Sequence, residues 1–168
     1  PTFVNTDGAA PDGLNNGSVV VKLSYRGQSL LLTGDIEHET DRALLAWGDR
    51  LRSTLLKSAH HGSRTSSTRP FLQAVRPEAI AISCGIDNKF GHPSPEVLDR
   101  YKGLDALVDR TDLSGCLTYR VSERGIKVIR FLKREEIGRK KKGPAAHSDW
   151  PKKEGGGSDH VSKSGMHL

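Results

Sequence analysis

Residues 30 to 67 constrain this chain most, because two polar clusters there are each delivered by the end of an apolar run. The first is Leu30-Leu31-Leu32-Thr33-Gly34-Asp35, strand-like and ending on a carboxylate. The second runs from Leu55 to Ser63 and ends on paired histidines, His60 and His61, followed by a small-residue turn. Between them, Thr40 to Leu51 reads as one amphipathic helix, with Ala43, Leu44, Trp47 and Leu51 near helical spacing. Strand, helix, strand of this length is a crossover unit, and such units place ligands at the carboxyl ends of their strands. The pattern predicts Asp35 and His60 on the same edge of one sheet, a pairing that suits metal coordination.

The flanks extend the sheet in both directions. Residues 1 to 17 are rich in Gly, Asn, Asp and Pro and read as loop. Ser18 to Tyr25 is a strand, and Arg26-Gly27-Gln28 turns it into Ser29 to Thr33 as a hairpin. Ser53 to Ala59 and Ala79 to Ser83 are further strands, with a short helix from Pro70 to Val75 between them. Ser94 reads as an N-cap with Pro95 at the first helical position, and Gly103 stops that helix after Lys102. Ala106 to Asp109, Cys116 to Val121 and Ile126 to Phe131 complete the strands. The order predicts an α/β fold: a mixed sheet with helices on one face.

At 168 residues the chain suits one domain with a modest core. No apolar run approaches the roughly 20 residues that cross a membrane, and Pro1 sits in loop composition, as expected of a piece of something longer. The net charge of +6 belongs mostly to the end of the chain. Residues 133 to 168 hold nine Lys or Arg against five Asp or Glu, a net of +4, and residues 1 to 132 hold seventeen against fifteen, a net of +2. Basicity therefore says little about what the folded part, residues 1 to 132, binds. The tail from Lys133 lacks periodicity and is expected to be disordered, either a solvated terminus or a phosphate-contacting arm. Cys84 and Cys116 have neither disulfide-framework nor zinc-knuckle spacing and read as buried free thiols.

Each polar cluster has a plain structural reading beside the chemical one. Asp35 either caps the following segment or reaches a metal ion. Neighbouring side chains in extended backbone point to opposite faces, so His60 and His61 are not expected to chelate one ion together. One would face metal, the other substrate or a supporting partner. Gly62 and Ser63 let the backbone pass close to the site, with N–H groups and a hydroxyl free for an anion. The loop Asn88 to Pro93 offers Lys89 and His92 to a phosphate or leaving group, or is simply a solvated connection. Arg110-Thr111-Asp112 ends another strand and either joins the same rim or makes a turn.

Taken in order, Thr33-Gly34-Asp35, Leu56-Lys57-x-x-His60-His61-Gly62-Ser63 with Ser66 and Ser67, Asn88-x-x-Gly91-His92-Pro93, and Arg110-Thr111-Asp112 with Gly115 resemble one family. It is the C-terminal metallo-β-lactamase-like domain of ComEC-type DNA-internalisation (competence) proteins, matched over roughly residues 16 to 128. The resemblance implies a layered α/β/β/α hydrolase fold holding two zinc ions, with manganese as an alternative metal. It implies that Asp35 bridges the metals and that His60 ligates the second, leaving His61 to support it or face substrate. Ser63, Lys89 and His92 would contact substrate. The implied activity is hydrolysis of DNA phosphodiesters on a single strand, with two metals stabilising attacking and leaving oxygens. The implied setting is a bacterial membrane protein whose channel portion carries this domain outside the cytoplasm.

The superfamily's first metal motif, His-x-His-x-Asp-His or its Asp-containing variant, has no counterpart here, since every histidine lies at position 38 or beyond. His38 is a poor substitute. The chain thus reads as the C-terminal half of such a domain, expected to be inactive without the upstream half and the sheet it carries. Two other readings are a different phosphodiesterase or esterase of the same superfamily, and a metal-free remnant serving as an interaction module.

Overall fold

The computed structural model describes residues 2–3 and 13–132. The basic tail from Lys133 lies outside those residues. Where residues 1 to 17 are described, the expected loop is instead a short strand, Thr2–Phe3, paired with the next strand, and a 3₁₀ turn, Leu14–Gly17. Among the described residues the main sheet has six strands in sequence order. They are β1 (Thr2–Phe3), β2 (Val21–Tyr25), β3 (Gln28–Leu32), β4 (Leu55–Lys57), β5 (Ala79–Ile82) and β6 (Leu107–Arg110). The first three run antiparallel and β3 to β6 run parallel, so the sheet is mixed. The β2–β3 connection is the two-residue turn Arg26-Gly27, both at positive φ (49° and 78°), which matches the twist of a hairpin.

Three crossovers build the parallel part, carried by helices α1 (His38–Leu44), α2 (Arg69–Val75) and α3 (Pro95–Lys102). The helix expected from Thr40 to Leu51 is shorter and broken. It leaves α-helical geometry after Leu44 and continues as 3₁₀ turns to Leu51, interrupted at Gly48 (φ 54°, ψ −130°). Gly48 is the physical reason: only glycine enters that backbone region at low cost. Ser94 caps α3 as expected, its Oγ accepting the Val97 N–H at 3.2 Å, with Pro95 in the first turn. A short helix α4 (Thr111–Ser114) follows β6, and β7 (Leu117–Ser122) and β8 (Gly125–Arg130) form a separate hairpin.

Register tells the two faces of the sheet apart. Leu31, Leu56 and Ile80 lie side by side across β3, β4 and β5 and are buried. They share one core with Leu44, Phe71, Leu72, Val75, Val97 and Tyr101 from the helices and the turns joining them. Alternation puts Leu30, Leu55, Ala79 and Leu107 in one row on the opposite face. That face is only partly covered, with Leu107 at 65% exposure. The β7–β8 hairpin leans on its β6 end, where buried Asp109 accepts from Arg130 Nε and from the Tyr119 hydroxyl at 3.3 Å. Burial and the Asp109 charge push the Tyr119 hydroxyl above its ordinary pKa. One layer of helices on one apolar sheet face, with the other face open, is part of an αββα sandwich.

Candidate functional site

The carboxyl ends of β3, β4, β5 and β6 converge on one rim, as parallel strands require. After β3, Gly34 turns at φ 56° so closely past Ser18 that a Cβ there would lie 2.7 Å from Ser18 Cβ. Ser18 Oγ then accepts the Asp35 N–H at 3.0 Å, which fixes the carboxylate at the strand end. After β4, the expected strand to Ala59 stops early. Ala59–Gly62 is a 3₁₀ turn in which His60 and His61 both take positive φ (45° and 54°). The extended backbone expected to splay the two rings is therefore replaced by a tight turn, tied to β3 by His60 N–H donating to Gly34 O at 3.1 Å.

Both imidazoles are held by Nδ1. His60 Nδ1 lies 3.1 Å from Glu37 Oε1, and His61 Nδ1 lies 2.7 Å from the Ser83 carbonyl. Carboxylates and carbonyls only accept, so each neutral ring carries its proton on Nδ1 and presents Nε2 as the lone-pair nitrogen. His61 Nε2 stands 3.7 Å from Asp35 Oδ1. Glu37, which also accepts from Thr65 Oγ1 at 3.0 Å and Asn15 Nδ2 at 3.3 Å, is the functional neighbour that sequence reading missed. Its only signal was its place two residues beyond Asp35.

The third rim segment brings His92 in from the β5–α3 loop. Its ring lies edge-on to His60 with centroids 5.6 Å apart, and His60 and His61 are 6.5 Å apart. Asn88 staples the loop, its Nδ2 donating to Gly85 O and His92 O while its Oδ1 accepts the His92 N–H. His92 Nδ1 is buried with no hydrogen-bond partner among the described residues. Burial first, then the neighbouring His60 and His61, lower the His92 pKa, against a smaller opposing effect of Asp35. Lys89 is exposed, with its ammonium 5.0 Å over the Phe90 ring. Ser63, by contrast, is buried and its hydroxyl is engaged with Thr65 at 2.9 Å. Lys57, from the end of β4, donates to Ser58 O at 2.7 Å; burial lowers its pKa and the Asp35 charge opposes that.

Arg110-Thr111-Asp112 does join the rim, through Cys84. Thr111 Oγ1 accepts the Cys84 N–H at 2.8 Å and donates to the Cys84 carbonyl at 2.7 Å. Asp112 takes Arg110 in a two-point ion pair (3.0 and 2.6 Å) and accepts the Cys84 thiol at 3.2 Å. Burial raises the Cys84 pKa, and the Asp112 contact adds to it. Both cysteines are free, but neither is buried as expected: Cys84 is half-buried at the rim, and Cys116 is exposed because it precedes the hairpin outside the core.

As a metal site this rim is partial. Zinc ligands lie about 2.0–2.1 Å from the ion, so Asp35 and His61 at 3.7 Å are close enough to share one. No group of three His, Cys, Asp or Glu among the described residues could hold an ion. The residues present thus supply some donors of a centre and not a complete set.

No family model matches the chain. It is 38% identical over 118 residues to the competence protein ComA of Neisseria gonorrhoeae, covering 70% of this chain and 17% of that protein. It is 34% identical over 114 residues to ComE operon protein 3 of Bacillus subtilis, covering 68% and 15%. The chain is a ComEC-type sequence. A third relative, recombination protein 2 of Haemophilus influenzae, is 32% identical over 101 residues, 60% of this chain and 13% of that protein. This ComEC-type chain spans about one sixth or less of the curated relatives it matches. Among its described residues no helix is long and apolar enough to cross a membrane.

Proposed function

We propose that this chain is the C-terminal part of a metal-dependent hydrolase domain that cuts DNA during its uptake in natural competence. The observation that carries the reading is the rim on which His61 Nε2 stands 3.7 Å from Asp35 and both histidines are anchored through Nδ1, which leaves Nε2 as the lone-pair nitrogen. A histidine that ligates a metal characteristically donates its other ring N–H to a carboxylate or carbonyl. The relative named as a competence protein supports the context of DNA uptake.

Asp35 and His60 are the proposed ligands, with Glu37 holding His60 in its tautomer. His61, beside Asp35, is proposed to face the scissile phosphate, with Lys89 and His92 nearby on the substrate side. Buried Ser63 instead holds the turn, its N–H donating to His60 O at 2.9 Å and its hydroxyl engaged with Thr65. A zinc or manganese ion there would stabilise charge on phosphate oxygens. The missing donors are proposed to come from an upstream half of the domain, whose sheet would pack on the face that carries half-buried Leu30 and Ala79 and exposed Leu107. In the whole protein we place the domain outside the cytoplasm, attached to a membrane channel portion that delivers single-stranded DNA.

The test is to express the chain with its upstream half, measure bound zinc and manganese, and assay single-stranded DNA against a small phosphodiester. Metal-dependent cleavage of DNA that disappears with chelation and with Asp35→Ala is the expected result. Cleavage of only the small ester would reassign the substrate. A completed domain that binds no metal and cuts nothing overturns the reading in favour of a metal-free interaction module.

A further inference from the structure

The loop between Gly85 and Pro93 carries a large side chain that neither the core nor the proposed chemistry uses. Phe90 is 69% exposed at the rim of the site. Its ring stacks on His92, with centroids 6.0 Å apart and planes 20° from parallel. His92 is in turn fixed by the Asn88 staple, 2.6 Å from Asn88 Nδ2 to the His92 carbonyl. Phe90 also borders a cavity of about 210 Å³ lined by His61, Cys84, Gly85, Asn88 and His92. That is smaller than the roughly 300 Å³ where drug-sized pockets begin, so it takes one flat group rather than a whole ligand.

We propose that Phe90 is a stacking platform for one base of a single-stranded nucleic acid, placed so that the adjoining phosphate lies toward His61 and His92. The inference rests on the nucleic-acid reading above and assigns it a base subsite. Single-strand binding surfaces pair exposed aromatic rings with cations along the backbone track, and both are here within one dipeptide. The Lys89 ammonium now lies over the Phe90 ring. A cation over an exposed ring is worth about a two- to fivefold preference, whereas a stacked base is worth roughly five- to 150-fold. The base therefore displaces Lys89 from the ring, and the released ammonium pairs with the neighbouring phosphate. Stacking reads no base edge, so the subsite tolerates any base.

The test uses the chain joined to its upstream half and two probes, a short labelled oligothymidylate and an abasic oligomer with the same phosphates. The wild type is expected to bind the base-bearing strand at least fivefold more tightly than the abasic one. Phe90→Ala should remove that preference and leave abasic binding unchanged, while Phe90→Trp keeps or strengthens it. Lys89→Ala should flatten the salt dependence of the base-bearing strand and weaken that strand's binding more than that of the abasic one, which has no base to release the ammonium from the ring. Phe90 is too exposed for its removal to hollow the core, and circular dichroism checks the fold. A wild type that binds and cuts DNA while Phe90→Ala keeps full preference overturns the stacking subsite alone. A wild type that binds neither probe overturns the nucleic-acid reading and the subsite together.

Discussion

The Tyr101 hydroxyl on α3 lies 2.7 Å from Ser58 Oγ, two residues before His60 in the chain. It also donates to Ser67 Oγ at 2.8 Å, so one buried phenol ties α3 to both ends of the histidine turn. Burial pushes the Tyr101 pKa up, which keeps the hydroxyl proton available as a donor. Tyr101→Phe removes the link and leaves the buried Ser58 and Ser67 hydroxyls short of a partner. The expected cost is about 1–3 kcal/mol of stability, read as a lower denaturant midpoint with unchanged slope. A midpoint equal to wild type would show that the hydroxyl chain contributes nothing.

Gly62 carries the turn against the loop of the third rim segment. At φ 83° its carbonyl accepts the Ser94 N–H at 2.8 Å, and a Cβ there would meet Pro93 Cβ at 2.6 Å. Gly48 is also at positive φ but has nothing within 4 Å of an added Cβ. Gly48→Ala should therefore cost only backbone strain, about 1–3 kcal/mol. Gly62→Ala adds a backbone clash to similar strain and should cost distinctly more. Thermal melts of both variants compare them directly, and equal losses would mean that the Pro93 loop moves aside freely.

What the sequence showed and what it hid follow from the range of the interactions. The hairpin turn at Arg26-Gly27, the Ser94 cap with Pro95, and the crossover joining β3 to β4 are local, so their residues announce them. The meeting of Asp35 with the histidine turn followed from the crossover alone. The turn itself stayed hidden, because positive φ at His60 and His61 is imposed by contacts with Gly34 and Ser83 from other strands. Glu37 was hidden for the same reason, since its role exists only once Asn15, His60 and Thr65 arrive around it. The break of the long helix at Gly48 was local, but a lone glycine in a helical pattern does not say whether it bends or ends the helix.

Asp41 on α1 is fully buried, with Oδ2 accepting the Thr68 N–H at 2.7 Å and Oδ1 without a partner among the described residues. Burial raises its pKa from 3.8 to about 6, against weaker opposing effects of the Thr68 contact, Arg100 and His38. Between those values the folded chain keeps a proton that the unfolded chain releases. Its contribution is thus whole below about pH 4 and falls by roughly 3 kcal/mol as pH rises to about 6. Asp41→Asn keeps an acceptor for Thr68 and cannot titrate. The stability of this variant relative to wild type should therefore climb across that window and stay level above it. Denaturant titrations at a series of pH values check this, and a constant difference would mean that Asp41 titrates normally.

The two histidines of the turn are separable by metal content. Both have the backing a ligand needs, His60 from the Glu37 carboxylate and His61 from the Ser83 carbonyl, and His61 stands 3.7 Å from Asp35; the proposed assignment gives the metal to His60 and the substrate side to His61. In the domain completed by its upstream half, Asp35→Ala and His60→Ala should both lose metal and activity together. His61→Ala should keep most of the metal while turnover falls by about 10²–10⁴-fold, as when a positioned acid or base is removed. Glu37→Gln should weaken metal binding by about 10–100-fold through His60. Metal per chain after dialysis against a weak chelator, measured beside DNA cleavage, reads all four variants. If His61→Ala strips the metal while His60→Ala retains it, the two roles are exchanged, and the 3.7 Å approach of His61 to Asp35 marks the shared ion.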